Sequence, residues 1–475
     1  MHAHHTKVIT FMSDTSFSHL GVPATLVAAL TRMGIDSPFP IQIDTLPDTL
    51  AGRDVLGRGK TGSGKTLAFS IPMVARLSGE LAGGKRRPGR PLGLVLAPTR
   101  ELATQITAVM KPLADAVNLR VTTIFGGVSQ NRQVQALKEG VEIVVATPGR
   151  LEDLKTQGYL HLDAIEITVL DEADHMADLG FLPVVTKILN ATPAGGQRLL
   201  FSATLDNGVN KLVDRFLQNE VMHAVDDANS PVAKMTHHVF ETSGPDAKKE
   251  LIHALASGTG RRILFMRTKH HAKKLAKSLT EAGIPAVDLH GNLSQPARDR
   301  NLAAFSQGSI KVLVATDVAA RGVHVDNVDL VIHVDPPMEH KAYLHRSGRT
   351  ARAGAEGDVI TLCLPTQKGD LAGLLRKADI QVTPTPVTAT SPEVLALIGE
   401  KAAYVKPLPR AVAHQGGGNS QGKNAQRKKA LRDAGTPVIR ERSGQARRST
   451  RDGQLVRDRS GRPATAARRQ QQRSR

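Results

Sequence analysis

The chain has no tryptophan and only three tyrosines among 475 residues, so its cores have to be built from aliphatic side chains. It has one cysteine, Cys363, which excludes an internal disulfide and fits a reducing compartment. Cys363 sits in a strand-like run, Val359 to Leu364, with no nucleophile signature around it, so a buried structural thiol is expected. No apolar run approaches the length of a membrane span, and Met1-His2-Ala3-His4-His5 lacks the apolar core of a signal peptide. A cytoplasmic location is the expectation. Acidic residues are also scarce: 44 Asp and Glu face 63 Lys and Arg, a net charge of +19. The imbalance is local, since Lys406 to Arg475 holds 19 basic and four acidic residues. A basic excess of that kind calls for a polyanion, nucleic acid before an anionic membrane. No amphipathic helix accompanies the charge, which argues against a membrane partner.

What is present begins with Gly59-Lys60-Thr61-Gly62-Ser63-Gly64-Lys65-Thr66, between the apolar run Val55-Leu56 and a helix-like run from Leu67. Gly59, Gly64, Lys65 and Thr66 satisfy Gly-x-x-x-x-Gly-Lys-[Ser/Thr]. Glycines let successive backbone N–H groups turn toward phosphate oxygens, and the helix after them adds its positive end. Lys65 supplies a point charge on the outer phosphates, and the Thr66 hydroxyl is a ligand for Mg²⁺. The plainer reading is a glycine-rich turn between a strand and a helix.

Upstream, Ser37-Pro38-Phe39-Pro40-Ile41-Gln42 reads as an extended loop opening a helix at Gln42, whose amide offers a donor and an acceptor that suit the edge of adenine. Downstream, the buried-strand runs Leu94–Ala97 and Val141–Ala146 end in Pro98-Thr99-Arg100-Glu101 and Thr147-Pro148-Gly149-Arg150. Ligands of open parallel sheets bind along that carboxyl edge, although either stretch also reads as an ordinary turn. Ile167–Leu170 leads into Asp171-Glu172-Ala173-Asp174, where a strand-end carboxylate holds Mg²⁺ and its neighbour orients water. Acidic residues at a helix start also have a dipole rationale. Ser202-Ala203-Thr204 places two hydroxyls at another strand end, a weak signal alone. Periodicity fades between Asn219 and Lys234, and a second alternation of strands and helices begins near His238. It lacks a phosphate loop but carries Ala315-Thr316-Asp317 and His345-Arg346-Ser347-Gly348-Arg349-Thr350-Ala351-Arg352. Arg349 and Arg352 lie three apart, which puts them on one side of a helical turn, as fingers for a γ-phosphate or as a solvated basic face.

These motifs, in this order over about Phe17 to Leu375, resemble the DEAD-box family of ATP-dependent RNA helicases of superfamily 2, here of bacterial type. The resemblance implies an α/β fold of two tandem RecA-like domains, parallel sheets flanked by helices, with ATP and Mg²⁺ between them and RNA across both. It further implies that Phe17, Gln42, Asp317 and the Gly59–Thr66 loop bind ATP, and that Thr66 and Asp171 serve the metal. Glu172, Lys65, Arg349 and Arg352 would be catalytic. Asp174, Ser202, Thr204 and His345 would couple hydrolysis to closure. RNA would be held by Pro98, Thr99, Arg100, Gly126, Gly127, Thr147 and Arg150, and by Arg267, Gly291, Gln295, Arg298 and Thr316, through its backbone rather than its bases. Two positions depart from the family pattern. Ile35 stands where an aromatic usually stacks on adenine, and His324 stands where an aspartate usually supports the nucleotide.

The expected organisation is a disordered start (1–16), a first domain (17–222), a linker (223–237), a second domain (238–380), a short extension (381–405) and a disordered basic RNA-binding tail (406–475). The tail has no aromatic residue, so salt-sensitive, sequence-indifferent phosphate binding is expected of it. The expected activity is RNA-dependent ATP hydrolysis that locally unwinds short duplexes or remodels RNA–protein complexes. The alternative is an ATP-controlled RNA clamp or chaperone, with ribosomal precursors or RNA-decay complexes as partners. A DNA-directed enzyme is the third option.

Overall fold

A computed structural model describes residues 15–59, 62–79, 86–225, 235–320, 328–351 and 356–407. Lys60, Thr61, Arg352, His324 and nearly all of the basic tail lie outside these residues, as do 1–14 and 226–234. Two seven-stranded sheets are present, every strand pair parallel. The first is made of β1 (Val55–Gly59), β2 (Gly93–Leu96), β3 (Val121–Ile124), β4 (Ile143–Ala146), β5 (Ile167–Asp171), β6 (Gln197–Ser202) and β7 (Val221–Val225), in the order β3-β4-β2-β5-β6-β1-β7. The second is made of β8 (Met235–Glu241), β9 (Arg262–Met266), β10 (Ala286–Leu289), β11 (Val312–Thr316), β12 (Leu330–His333), β13 (Gly357–Cys363) and β14 (Thr385–Pro386), in the order β10-β11-β9-β12-β13-β8-β14. Each second-sheet strand occupies the place of the strand seven earlier, so the chain repeats one topology. Both sheets belong to one compact unit ending at Pro407.

Helices cover both faces of each sheet, which is why the strands read as continuous apolar runs rather than as alternations. Successive side chains still divide between the faces. Val55, Ile167 and Val169 join one core of the first sheet, while Leu56 and Leu170 join the other. The aliphatic expectation holds, with a few phenylalanines and Tyr343 as the largest buried groups. Cys363 is 1% exposed at the end of β13, and burial pushes its thiol up, as suits a packed structural residue.

Two boundaries fall differently from the reading of the sequence. The stretch 223–237 includes the end of β7 and the start of β8, because both edges of the fading periodicity pair with a sheet. The extension 381–405 is part of the second lobe: β14 pairs with β8, and Val387, Val394 and Ile398 enter a core cluster with Leu251 and Leu255. Gly258 bridges Lys401, and Arg262 Nη2 donates to the Ile398 carbonyl at 2.8 Å. Ile398→Ala should therefore cost about 2–5 kcal/mol of second-lobe stability. Urea unfolding checks this, and an unchanged midpoint would mean the extension is merely draped on the surface.

Candidate functional site

The phosphate loop, the acidic motif and the hydroxyl motif of the first lobe each lie at or just beyond the carboxyl end of a parallel strand, whereas Gln42 lies in the helix Pro40–Leu50 ahead of β1 and His345 in the helix His340–Ser347. β1 ends at Gly59, before the phosphate loop; β5 ends at Asp171; β6 ends at Ser202. The register pairs Asp171 with Phe201, so the acidic and hydroxyl motifs emerge side by side. Topology thus converts distant sequence positions into one edge.

At the phosphate loop, Gly64 has φ +92°, and a Cβ there would fall 2.6 Å from Gln42 Nε2 and 3.0 Å from Phe39 Cβ. Only glycine fits. Lys65, 7% exposed, opens the helix Lys65–Ser78 and donates to the Gly59 carbonyl at 2.5 Å; Thr66 lies on the same first turn, and Gly62 and Ser63 precede it. Gln42 is fully buried, donating to the Gly64 carbonyl at 2.8 Å and accepting from Phe39 N–H at 2.9 Å. Its amide therefore fastens the loop, and an adenine contact would have to exchange with these bonds. Phe17 is 1% exposed within a core cluster with Leu26 and Leu30, so it is a packing residue in this structure. Ile35 packs partly buried on the same cluster. The exposed aromatic beside the loop is Phe39, at 42% exposure.

The acidic motif forms a network of buried charge. Burial drives the Asp171 carboxyl up to about 7, with Lys65 opposing the rise and Glu172 adding to it. Glu172 has φ +51°, an unusual conformation for a non-glycine residue. Burial raises its carboxyl too, but the His175 ring at 3.2 Å, then Arg349 and Lys65, outweigh that and hold it at about 2. Asp174 is buried as well, yet His345, Lys65 and Thr204 hold it well below the usual range. Its Oδ2 accepts from Thr204 N–H at 3.0 Å and from the Thr204 hydroxyl at 2.9 Å, and faces His345 Nε2 at 3.7 Å. Its own N–H donates to the Ser202 hydroxyl at 3.2 Å. The four expected coupling residues are thus in one cluster.

His345 belongs to the second lobe, and so does Arg349, which is 4% exposed. With Lys65, Glu172, Asp174, His175 and Ala203 they enclose a cavity of about 10 Å³, room for a single water. Asp317 is engaged elsewhere: Arg346 Nη2 donates to it at 2.7 Å, and Arg346 Nη1 donates to the Asp335 carbonyl at 2.7 Å.

A separate open groove of about 550 Å³ is lined by Pro98, Thr99, Arg100, Gly126, Thr147 and Arg150 from the first lobe, and by Gly291 and Arg298 from the second. Gly127, φ +77°, lies against the Arg100 guanidinium, where a Cβ would collide. Gln295 is buried between the lobes, accepting from Arg100 Nη1 at 3.0 Å. Arg298 Nε donates to Glu101 at 2.7 Å. Arg267, exposed after β9, and Thr316, at the end of β11, are not among the residues lining this groove. Another cavity, about 820 Å³, lies near the amino ends of β1 and β6 around Arg53, Asp54 and Gln197, and gathers none of the motif residues.

Sequence reasoning passed over Glu101, His175, and the pair Lys341–Asp206, which joins the lobes at 2.6 Å. Glu101 and His175 each adjoin a recognised motif, which was the available signal.

Ionisation of Asp171 has a consequence for stability. Its folded value of about 7 lies above the ordinary 3.8, so the cost is absent below pH ~4, grows up to pH ~7 and is fully present above that. Asp171→Asn should raise the stability of the metal-free protein at pH ~8 by about 1–4 kcal/mol and leave it unchanged at pH ~4. Thermal unfolding in chelator at both values checks this; an equal change at both would assign the effect to packing.

The family models described as DEAD/DEAH box helicase and helicase conserved C-terminal domain match residues 39–212 and 246–354. The chain is 44% identical over 369 residues to DEAD-box ATP-dependent RNA helicase 3B, chloroplastic, of Zea mays, covering 76% of this chain and 49% of that one. It is 38% identical over 352 residues to ATP-dependent RNA helicase RhlB of Pseudomonas syringae pv. tomato, covering 73% of this chain and 88% of that one. Among solved structures, S. cerevisiae Dbp5 bound to RNA and ADP BeF3 superposes with a TM-score of 0.70 at 28% identity, covering 81% of this chain and 100% of that one. The chain spans about half the length of the maize relatives it matches.

Proposed function

Because the chain belongs to the DEAD/DEAH box helicase family, we propose that it is an RNA-dependent ATPase that separates short RNA duplexes locally. The observation that carries this reading is the cavity in which Arg349 and His345 of the second lobe meet Lys65, Glu172 and Asp174 of the first. Such an enclosure is complete only when both lobes contribute, so catalysis is tied to closure.

The phosphate loop receives the nucleotide: Lys65 and the start of the Lys65–Ser78 helix neutralise the outer phosphates. Thr66 and Asp171 are the residues that would hold Mg²⁺, since burial makes the ionised Asp171 call for a cation of high charge density. The metal supplies charge neutralisation on the phosphate oxygens. Glu172, kept ionised, accepts from the attacking water and orients it toward the terminal phosphorus. Arg349 stabilises the charge that spreads over the phosphoryl oxygens. The bond from phosphorus to the leaving oxygen breaks as the bond to water forms, giving ADP and phosphate. Asp174 links the Thr204 loop to His345, so a change at the phosphate end is felt in the second lobe. The groove containing Arg100, Arg150 and Arg298 suits an RNA backbone, and Glu101–Arg298 ties it to closure.

Steady-state hydrolysis with and without single-stranded RNA, with matched DNA as control, tests this. Stimulation by RNA alone is expected, and stimulation by neither would sink the reading. Stimulation without duplex separation would instead favour a clamp. Glu172→Gln should still bind ATP and RNA while kcat falls by about 10²-fold or more; near-normal turnover would remove its assigned role.

Phe39 gives the nucleotide site a feature of its own. It lies against Gly64, 42% exposed, and offers the aromatic face that Ile35 does not. Phe39→Ala should raise the KM for ATP about three- to tenfold with kcat nearly unchanged, the pattern of a lost binding contact. An unchanged KM would return the base contact to Ile35.

A further inference from the structure

The helix Lys269–Glu281 has the sequence Lys-His-His-Ala-Lys-Lys-Leu-Ala-Lys-Ser-Leu-Thr-Glu, with one acidic residue, at its last position. Ala272, Ala276 and Leu279 face the core. Lys269, His270, His271, Lys273, Lys274 and Lys277 are all exposed. Lys269, Lys273 and Lys277 succeed one another at four-residue intervals, so their side chains form a row about 6 Å apart along one side of the helix. That spacing is on the scale of neighbouring phosphates in an extended strand. Ion pairing leaves the row largely available. Glu281 meets Lys277 at 3.3 Å, with both side chains more than half exposed. The carboxylates nearby serve other groups: Asp288 meets His290 at 3.0 Å, and Asp335 accepts from Arg267 N–H at 2.9 Å and meets Lys248 at 3.8 Å.

The row also has a direction. Thr268 caps the helix, its hydroxyl accepting from His271 N–H at 3.2 Å. Lys269 Nζ donates to Asn292 at 2.9 Å, and Asn292 is the chain neighbour of Gly291, which lines the groove between the lobes. The basic row therefore starts at the wall of the groove and runs away from it along the second lobe.

We propose that this face is a second polyanion surface that carries the backbone of a single-stranded RNA onward from the groove. The proposal rests on the RNA-binding reading of the groove. Three exposed lysines on a rigid helix offer charge without base-stacking groups, so the contact is to phosphates and indifferent to sequence. It would bear only on RNA longer than the groove holds.

The test uses the full chain and oligouridines of about 6 and about 20 nucleotides, one confined to the groove and one extending past it. One variant carries Lys273→Gln and Lys277→Gln, the two lysines of the row beyond the groove wall, and a second carries Lys273→Arg and Lys277→Arg to keep the charge. The short RNA should bind both variants as it binds the parent and stimulate hydrolysis equally. The long RNA should bind the Gln variant about 5-fold more weakly, and the slope of log affinity against log salt should shrink by about 1.4, near 0.7 per charge removed. The Arg variant should keep the parent's affinity and slope. Long-RNA affinity and slope unchanged in the Gln variant would overturn the proposal and point the face at an acidic protein. If the parent binds neither RNA, the reading of the groove fails, and this proposal fails with it.

Discussion

The carboxylate of Asp174 accepts from the backbone and hydroxyl of Thr204 while facing His345 of the other lobe, and its N–H reaches Ser202. A charge this deeply buried is tolerable only while all its partners remain in place. That requirement joins the end of β5, the end of β6 and the helix His340–Ser347. The parallel register that sets Asp171 beside Phe201 is what makes the junction possible. Loss of a partner would weaken the compensation of a charge in the interior, so the three segments support one another.

Neighbouring carboxyls answer to different surroundings. Asp171 is buried and the adjacent Glu172 partly so, yet one is driven up to about 7 and the other held at about 2. Asp171 has Lys65 to oppose its desolvation, whereas Glu172 has His175 at 3.2 Å, Arg349 and Lys65 together. Glu172 has a left-handed backbone, φ +51°, and its carboxylate meets the His175 ring. One group thereby calls for a cation and the other stays ionised without one, the separation of roles that phosphoryl-transfer chemistry uses.

The topology repeats, but the sequence after the equivalent strand does not, so the second lobe contributes charge and no phosphate loop. β8 occupies the place of β1, and the chain leaves β8 through Thr242-Ser243-Gly244-Pro245 rather than through a glycine-rich cradle ending in Lys-Thr. The second lobe instead presents Arg349 and His345 to the first lobe's loop, and Gln295 and Arg298 to its groove. The small cavity and the groove are therefore both formed by the same apposition of the lobes.

The strands, the order of the motifs and the chemistry each motif carries were legible in the sequence, because apolar runs and glycine spacing are local signals. Ile263–Met266 and Val359–Leu364 announced buried strands, and Gly59–Thr66 announced an anion cradle without reference to the rest of the chain. Partners were not legible. Gln42 shows an adenine-shaped amide in sequence, but its depth behind Gly64 makes it a fastener of the loop. Phe17 is an aromatic of the right family position that folding places in the core, while Phe39, unremarked in sequence, is left at the surface beside the loop. Asp317 is claimed by Arg346, and Glu101 by Arg298, across separations of 29 and 197 residues. Local sequence determined which elements form and which groups they carry. Only the tertiary fold of each lobe and the apposition of the two decided which groups meet, because burial and ionic pairing depend on neighbours the chain brings together from far away.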